Sequence, residues 1–415
     1  MGSLSKLYRA KLNNFKPYSR LLLFGLLCSL ICVYGVSCQS PVTKRSEPFA
    51  ENKLGMHLLL EDGRNHWPTS LWAEHMQYAR QIAGEWGYVT QLIALDDLDM
   101  VKWQYFMDLC ADLQLTPILR LATTFDRDNN YWTAPPIDEN GRFHTIAEEY
   151  ANFLTALEWP TDTHYVIVGN EPNHGNEWQG KPDPAGYARF LVDVATAIHA
   201  ADPQAYVLNA GFDNYTPHTG IQPFADGFWY MDTESFMDGM IMAEPDVFAH
   251  LDGWSSHPYP MGPFIAPPWE QTFQIDWLND AQNPNHHPPP ADMVNRGVNS
   301  YEWELWLLGV YGFAPLPVFI TETGWRHTLE PYPDVEVVAD YFDLALFGNE
   351  NGRFPNYPQN GWIPWQNDPQ VVAVTPFALN GEPFEWAHTN WLSLSSDGQV
   401  IHPGDSIFSA FHPQK

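Results

Sequence analysis

This chain of 415 residues has little cysteine and little positive charge. It carries 4 Cys, and 20 Lys and Arg against 50 Asp and Glu, for a formal net charge of −30. So few Cys exclude a scaffold built on disulfides. The scarcity of cations argues against a nucleic-acid partner, because phosphate binding needs clustered Lys and Arg. Several chemical signatures are also missing. There is no Gly-rich nucleotide loop, no His-Glu-x-x-His or Cys-x-x-Cys spacing and no Gly-x-Ser-x-Gly elbow. These absences weigh against nucleotide-dependent, zinc and serine-hydrolase chemistry, so neither a metal nor a cofactor is expected.

What is present is apolar and aromatic. Hydrophobic residues make up 45% of the chain and aromatics 15%, with 18 Trp and 36 Pro. That composition excludes disorder, and the length allows a large core in one or two domains. The start of the chain has a different pattern. Lys6, Arg9, Lys11, Lys16 and Arg20 precede an uncharged apolar run from Leu21 to Cys38. A basic region, an apolar region and small residues read as a signal peptide over residues 1–37; a retained anchor helix is the competing reading. Val36-Ser37-Cys38 resembles a lipoprotein cleavage box, although Gly35 departs from it, which makes Cys38 a candidate lipid site. Residues 38–53 are polar and read as a linker. The expectation is an exported, extracellular or cell-surface protein whose contact with the membrane is N-terminal. Removal of five basic residues and no acid would take the net charge from −30 to −35.

From residue 54 onward, short apolar runs alternate with amphipathic ones. Strand-like runs are Leu54–Leu60, Tyr88–Ile93, Pro117–Ala122, Tyr165–Gly169, Ala205–Ala210, Gly253–His257, Pro317–Thr321 and Val371–Phe377. Helical patterns over Leu71–Gly84, Asp97–Ala111, Thr145–Leu157, Pro184–Ala201, Tyr301–Gly312 and Val335–Phe347 separate them, with Thr69 and Ser70 as caps for the first. Alternating strands and helices imply a parallel sheet, and eight units suggest a single α/β (β/α)8 TIM barrel over residues 54–415. An open doubly wound sheet is the competing fold. The Pro-, Trp- and His-rich stretch from Pro258 to Asn299 would leave the end of strand 6, on the face where such barrels carry their sites.

Two segments carry the chemistry. Tyr165-Val-Ile-Val-Gly-Asn-Glu171-Pro172 and Pro317-Val-Phe-Ile-Thr-Glu322-Thr-Gly-Trp325 each run an apolar strand into a Glu and then a turn. Alone, such a Glu is a solvated loop residue or a helix cap. Together, on strands 4 and 7 of one ring, the two would face each other. Facing carboxylates suit glycoside hydrolysis, one as proton donor and the other as nucleophile or water-activating base. Spacing decides between retention and inversion, and sequence gives no distances.

Asn170-Glu171-Pro172, His257-Pro258-Tyr259 and Thr321-Glu322-Thr323-Gly324-Trp325, in this order, make the chain resemble the clan A glycoside hydrolases from Leu54 to about Trp391. The family within the clan is not resolved. The resemblance implies a retaining β-glycosidase acting on an oligo- or polysaccharide, with Glu171 as acid/base and Glu322 as nucleophile. It places Asn170 toward a sugar hydroxyl and Tyr259 as a donor to Glu322. Glu171 would need a raised pKa, and Glu322 would need donors that keep it ionised.

Other candidates come from their positions. His257 ends strand 6 and could orient either carboxylate. Arg120 interrupts the buried Ile118-Leu119-Arg120-Leu121, which is costly unless it is paired. His57 would face the mouth from strand 1, while Asp126 and Asn209 are weaker candidates. Sugars lie on aromatic faces, so Trp at strand ends are platform candidates. Trp325, Trp386 and Trp391 lead this group, which also holds Trp132, Trp178, Trp254 and Trp269; Trp72, Trp103 and Trp306 read as core. Two other readings use the same residues: a catalytically silent glycan-binding protein, and a transglycosylase.

Overall fold

A computed structural model describes residues 52–273, 286–329, 331–401 and 406–411. The expected leader and most of the linker, with Cys38, lie outside them. Among the described residues no helix is long and apolar enough to cross a membrane, and Cys110 is a buried free thiol.

Eight parallel strands carry the fold. They are β1 (Gly55–Leu58), β2 (Gly87–Ala94), β3 (Leu115–Ala122), β4 (His164–Val168), β5 (Ala205–Asn209), β6 (Trp254–Ser256), β7 (Val318–Ile320) and β8 (Val371–Val374). Consecutive strands pair, but in two sheets: β1 to β5 in one, β6 to β8 in the other. One isolated parallel bridge lies at each seam, Leu208 to Gly253 and Leu54 to Val374. The strands at the seams are short: β6 has three residues, and β1 and β8 have four each, which leaves few backbone groups for a ladder.

Among the described residues, seven helices of ten or more residues follow or precede these strands: α1 (Thr69–Ala83), α2 (Met100–Leu113), α3 (His144–Ala156), α4 (Pro184–Ala201), α5 (Thr233–Ala243), α6 (Tyr301–Val310) and α7 (Val335–Phe347). Where a capping side chain and a first-turn Pro agree, the helix starts where the sequence says. Asp183 accepts from the Gly186 amide at 2.9 Å, with Pro184 following. At α1 the expected caps are wrong: Thr69 and Ser70 are already helical, and Pro68 precedes them without a side-chain bond. Helix α5 was not expected. Its cap, Asp232, accepts from Ser235.

Side-chain alternation along the strands separates two cores. On β4, Tyr165 and Ile167 join an inner cluster, whereas Val166 and Val168 pack with the helices. On β3, Ile118 faces inward and Leu119 and Leu121 outward, which puts Arg120 on the inner side. On β1, the outward Met56 and Leu58 put His57 there too. Tyr88, Tyr165, Tyr206 and Phe319 fill the inside with edge-to-face and tilted contacts 5.3 to 6.4 Å between centroids. Such pairs contribute about 0.5–1.5 kcal/mol each beyond burial.

Candidate active site

The polar residues gather where the strands end. Glu171 lies three residues beyond β4. Its amide donates to the Gly211 carbonyl at 3.1 Å, and its carbonyl accepts from His174 at 2.8 Å. The backbone turns sharply there: Gly169 has φ 90° and Glu171 itself φ 29°. A non-glycine residue in this region is strained, and such strain concentrates at functional sites. Gly211 is required for another reason. A Cβ there would lie 2.2 Å from the His257 ring, which must pass close to reach Glu171.

The two carboxylates have different partners. His257 Nδ1 donates to Glu171 Oε1 at 2.8 Å and lies 3.9 Å from Glu322 Oε2. Glu322 receives two donors: Arg120 Nη1 on Oε1 at 2.5 Å and Tyr259 Oη on Oε2 at 3.1 Å. Arg120 Nη1 also donates to Asn170 Oδ1 at 2.8 Å, which ties Asn170 to the same group. His57 donates from below to the Thr321 carbonyl at 2.9 Å, with Nδ1 3.9 Å from Glu322.

Burial alone would raise the Glu322 carboxyl. The fields of His257, His57 and Arg120 and the Tyr259 bond overcome this and hold it at about 2. Burial also lowers the His57 ring, to about 4. The His257 ring is raised instead, because the Glu322 charge and the Glu171 bond outweigh its burial.

Glu171, His257 and Glu322 each offer a ligand atom within 4.8 Å of the others, a set that could hold a metal ion. Both oxygens of Glu322 already accept hydrogen bonds, however. Arg120 would bring its charge against any added cation.

Above the carboxylates opens a cleft to solvent, lined by Arg120, Asn170, Glu171, Tyr259, Glu322 and Trp386 among others. The leading aromatic candidates separate here. Trp325 and Trp391 are not platforms. They are 1% and 0% exposed and pack on Phe342. Trp325 spends its indole N–H on the Ala266 carbonyl. Trp386 does line the cleft, beside Phe377, and so does Trp132. Trp254 is buried with its N–H on Glu304, and Trp269 packs among Tyr341, Tyr357 and Trp362. Neither Asp126 nor Asn209 lines the cleft. Asp126 caps its own exposed turn, and Asn209 bonds the Ser255 backbone across the β5–β6 seam.

Several cleft residues were not singled out from sequence as site residues. His174 pairs with Asp213 at 2.7 Å; against burial, that bond and charge raise its ring to about 9. Burial, opposed by Arg64 and helped by the Glu171 charge, pushes Glu177 up to about 7. His174 and Glu177 lie within six residues of Glu171, so the turn after a site-bearing strand was the available signal. Arg326, four residues beyond Glu322, carries the same signal, and Phe264 falls in the Pro258–Asn299 stretch, whereas Arg64 carries no such mark.

No family model matches the chain, and no curated protein matches it. Solved structures do. A glucosidase from Croceicoccus marinus aligns at TM-score 0.50 and 12% identity, over 84% of this chain and 64% of that one. A family 39 glycoside hydrolase from the gut symbiont Bacteroides cellulosilyticus WH2 gives 0.49 and 14%, over 84% and 62%. The β-1,3-glucanase and allergen CJP38 of Cryptomeria japonica pollen gives 0.47 and 16%, over 86% and 99%. The chain thus spans under two thirds of the length of the first two. Its structural neighbours are glycoside hydrolases, and at these identities the likeness is one of fold.

Proposed function

We propose that this chain is a retaining β-glycoside hydrolase on a single (β/α)8 barrel closed at two thin seams. The observation that carries the reading is the close approach of two unlike carboxylates at the strand ends, with ligand atoms within 4.8 Å. Retaining enzymes hold their pair about 5–5.5 Å apart, and inverting ones leave roughly 6.5–9.5 Å for a water.

In this mechanism Glu322 attacks the anomeric carbon while Glu171 gives its proton to the departing glycosidic oxygen. The C–O bond to the leaving group breaks as the bond to Glu322 forms. Glu171, now a carboxylate, then takes a proton from water, whose oxygen displaces Glu322 and restores the configuration. Arg120 and Tyr259 keep the nucleophile ionised between turnovers. His257 orients Glu171. Asn170, its oxygen fixed by Arg120, presents its amide to a sugar hydroxyl, and Trp386 offers a ring face. Export ahead of Cys38, with the lipid attached there, belongs to the same proposal; N-terminal sequencing of the protein from its host would test it.

The test is a screen of the purified protein on plant, fungal and bacterial β-glycans, with the anomer of the first product read by NMR. Release of the β-anomer supports the proposal. Release of the α-anomer would show inversion and remove Glu322 as nucleophile, and no hydrolysis of any glycan would leave a binding protein.

A further inference from the structure

The charges around the cleft are compensated, with one exception. Glu322 meets Arg120, Glu171 meets His257, Asp213 meets His174, and Arg64 meets Glu385 at 2.6 Å. Asp62 accepts the Arg64 backbone amide at 2.7 Å. Glu177 has the raised carboxyl described above. Arg326 is the exception. It forms no ion pair with any described residue: Nη1 reaches only the Tyr332 hydroxyl, at 3.5 Å, and Nε is buried without a partner. In a chain with 50 acidic residues, a guanidinium in a cleft without a carboxylate is an unusual placement.

Its position is nevertheless fixed. The Arg326 amide donates to the Phe264 carbonyl at 2.9 Å, and the guanidinium lies 5.2 Å from the Phe264 ring and 5.9 Å from that of Tyr332. Phe264 in turn sits 4.5 Å from the Tyr259 ring, whose hydroxyl bonds Glu322. Arg326 is therefore two aromatic rings removed from the proposed nucleophile, in the lining of the same cleft. The other basic group beside it, His388, is lowered by burial and by the Arg326 charge, which disfavours a second positive charge there. A guanidinium held beside aromatic rings rather than by a carboxylate keeps terminal N–H donors available, and these suit a carboxylate or a sulfate.

We propose that Arg326 binds an anionic substituent, a carboxylate or a sulfate ester, on the sugar next to the scissile bond, so that the substrate is an anionic glycan. This rests on the glycoside hydrolase reading for the identity of the ligand.

The experiment uses the full chain carrying Glu322→Gln, so that ligands persist, and measures binding by calorimetry. Ligands come in pairs: a glucuronic-acid-bearing oligosaccharide with its carboxyl-reduced form, and a sulfated oligosaccharide with its desulfated form. In at least one pair the charged member should bind about ten- to a hundredfold more tightly. That pair identifies the source of the anion. Adding Arg326→Gln should bring the ratio within the pair close to one, and Arg326→Lys, which keeps the charge but loses the fork, should give an intermediate ratio. The lysine variant carries the test if the glutamine variant does not fold. Equal binding within both pairs, or a preference that survives Arg326→Gln, overturns the proposal. Its failure is distinct from that of the hydrolase reading. A wild-type protein that cleaves no glycan, yet shows an Arg326-dependent charge preference, retains the anion site and loses the hydrolase.

Discussion

Glu171 and Glu322 end two apolar strands of similar composition, yet their surroundings differ. Glu322 is 6% exposed, with a guanidinium on one oxygen, a phenol on the other and a carboxyl held at about 2. Glu171 lies on a strained turn, more open to the cleft, and its side chain has one partner, the His257 ring. The difference fits the roles proposed for the two groups. A group surrounded by donors is kept as an anion, ready to attack. A group with a single imidazole contact and an open face can pass a proton to a ligand.

The strongest way to break this comparison is to remove the buried partner. Glu322→Ala should lower kcat by about 10⁴-fold or more while the fold persists by circular dichroism. Added azide should restore part of the turnover with the opposite anomer as product. Activity close to wild type would end the nucleophile assignment. Removal of Glu171 should be gentler and depend on the substrate. Glu171→Gln should cost about 10²–10⁴-fold on natural glycosides, and far less on aryl glycosides whose leaving group needs no proton. Equal losses on both would place Glu171 outside the acid role.

Tyr259→Phe narrows the contrast rather than abolishing it. Loss of one hydrogen bond to a charged group should reduce kcat/KM by about ten- to a hundredfold. It should also move the acid limb of the pH–rate profile upward, because Glu322 then protonates more easily. A fall in rate without that movement would indicate a packing role for the phenol. The smallest expected effect is on stability. The Glu322 carboxyl is lowered from 4.5 to about 2, so its ionised form contributes stability that is fully present above pH 4.5 and lost as pH falls toward 2. The pH-dependent gap in urea unfolding free energy between wild type and Glu322→Gln should change across that window and be flat above it. A gap that varies only above pH 5 would contradict the lowered carboxyl.

Much of the scaffold is legible locally. Helix α4 begins and ends at the residues its pattern marks, because Asp183, Pro184 and an apolar stripe all act within a few positions. Helix α1 shows the limit: a Pro at the boundary displaced two good capping residues into the first turn. The tryptophans show it more sharply. Trp325 and Trp386 both follow apolar strands, and nothing in their neighbours distinguishes them, yet one is enclosed by Phe342 and Tyr341 and the other borders the cleft. Long-range packing sorts a large apolar side chain into core or platform, and a short window of sequence does not contain that information. Arg326 was missed for the same reason: its significance lies in what fails to approach it.

The sequence by itself determined the order of eight strands, their parallel sense, the two Glu at strand ends and the alternation that turns Arg120 and His57 inward. These follow from periodicity, caps and turn residues, which act over a few positions. Only the tertiary structure decided the partners. Arg120 meets Glu322 across 202 residues, His257 meets Glu171 across 86 and Tyr259 meets Glu322 across 63. The unequal environments of the two carboxylates depend on those meetings, because charge and desolvation act through space at a few ångströms and not along the chain.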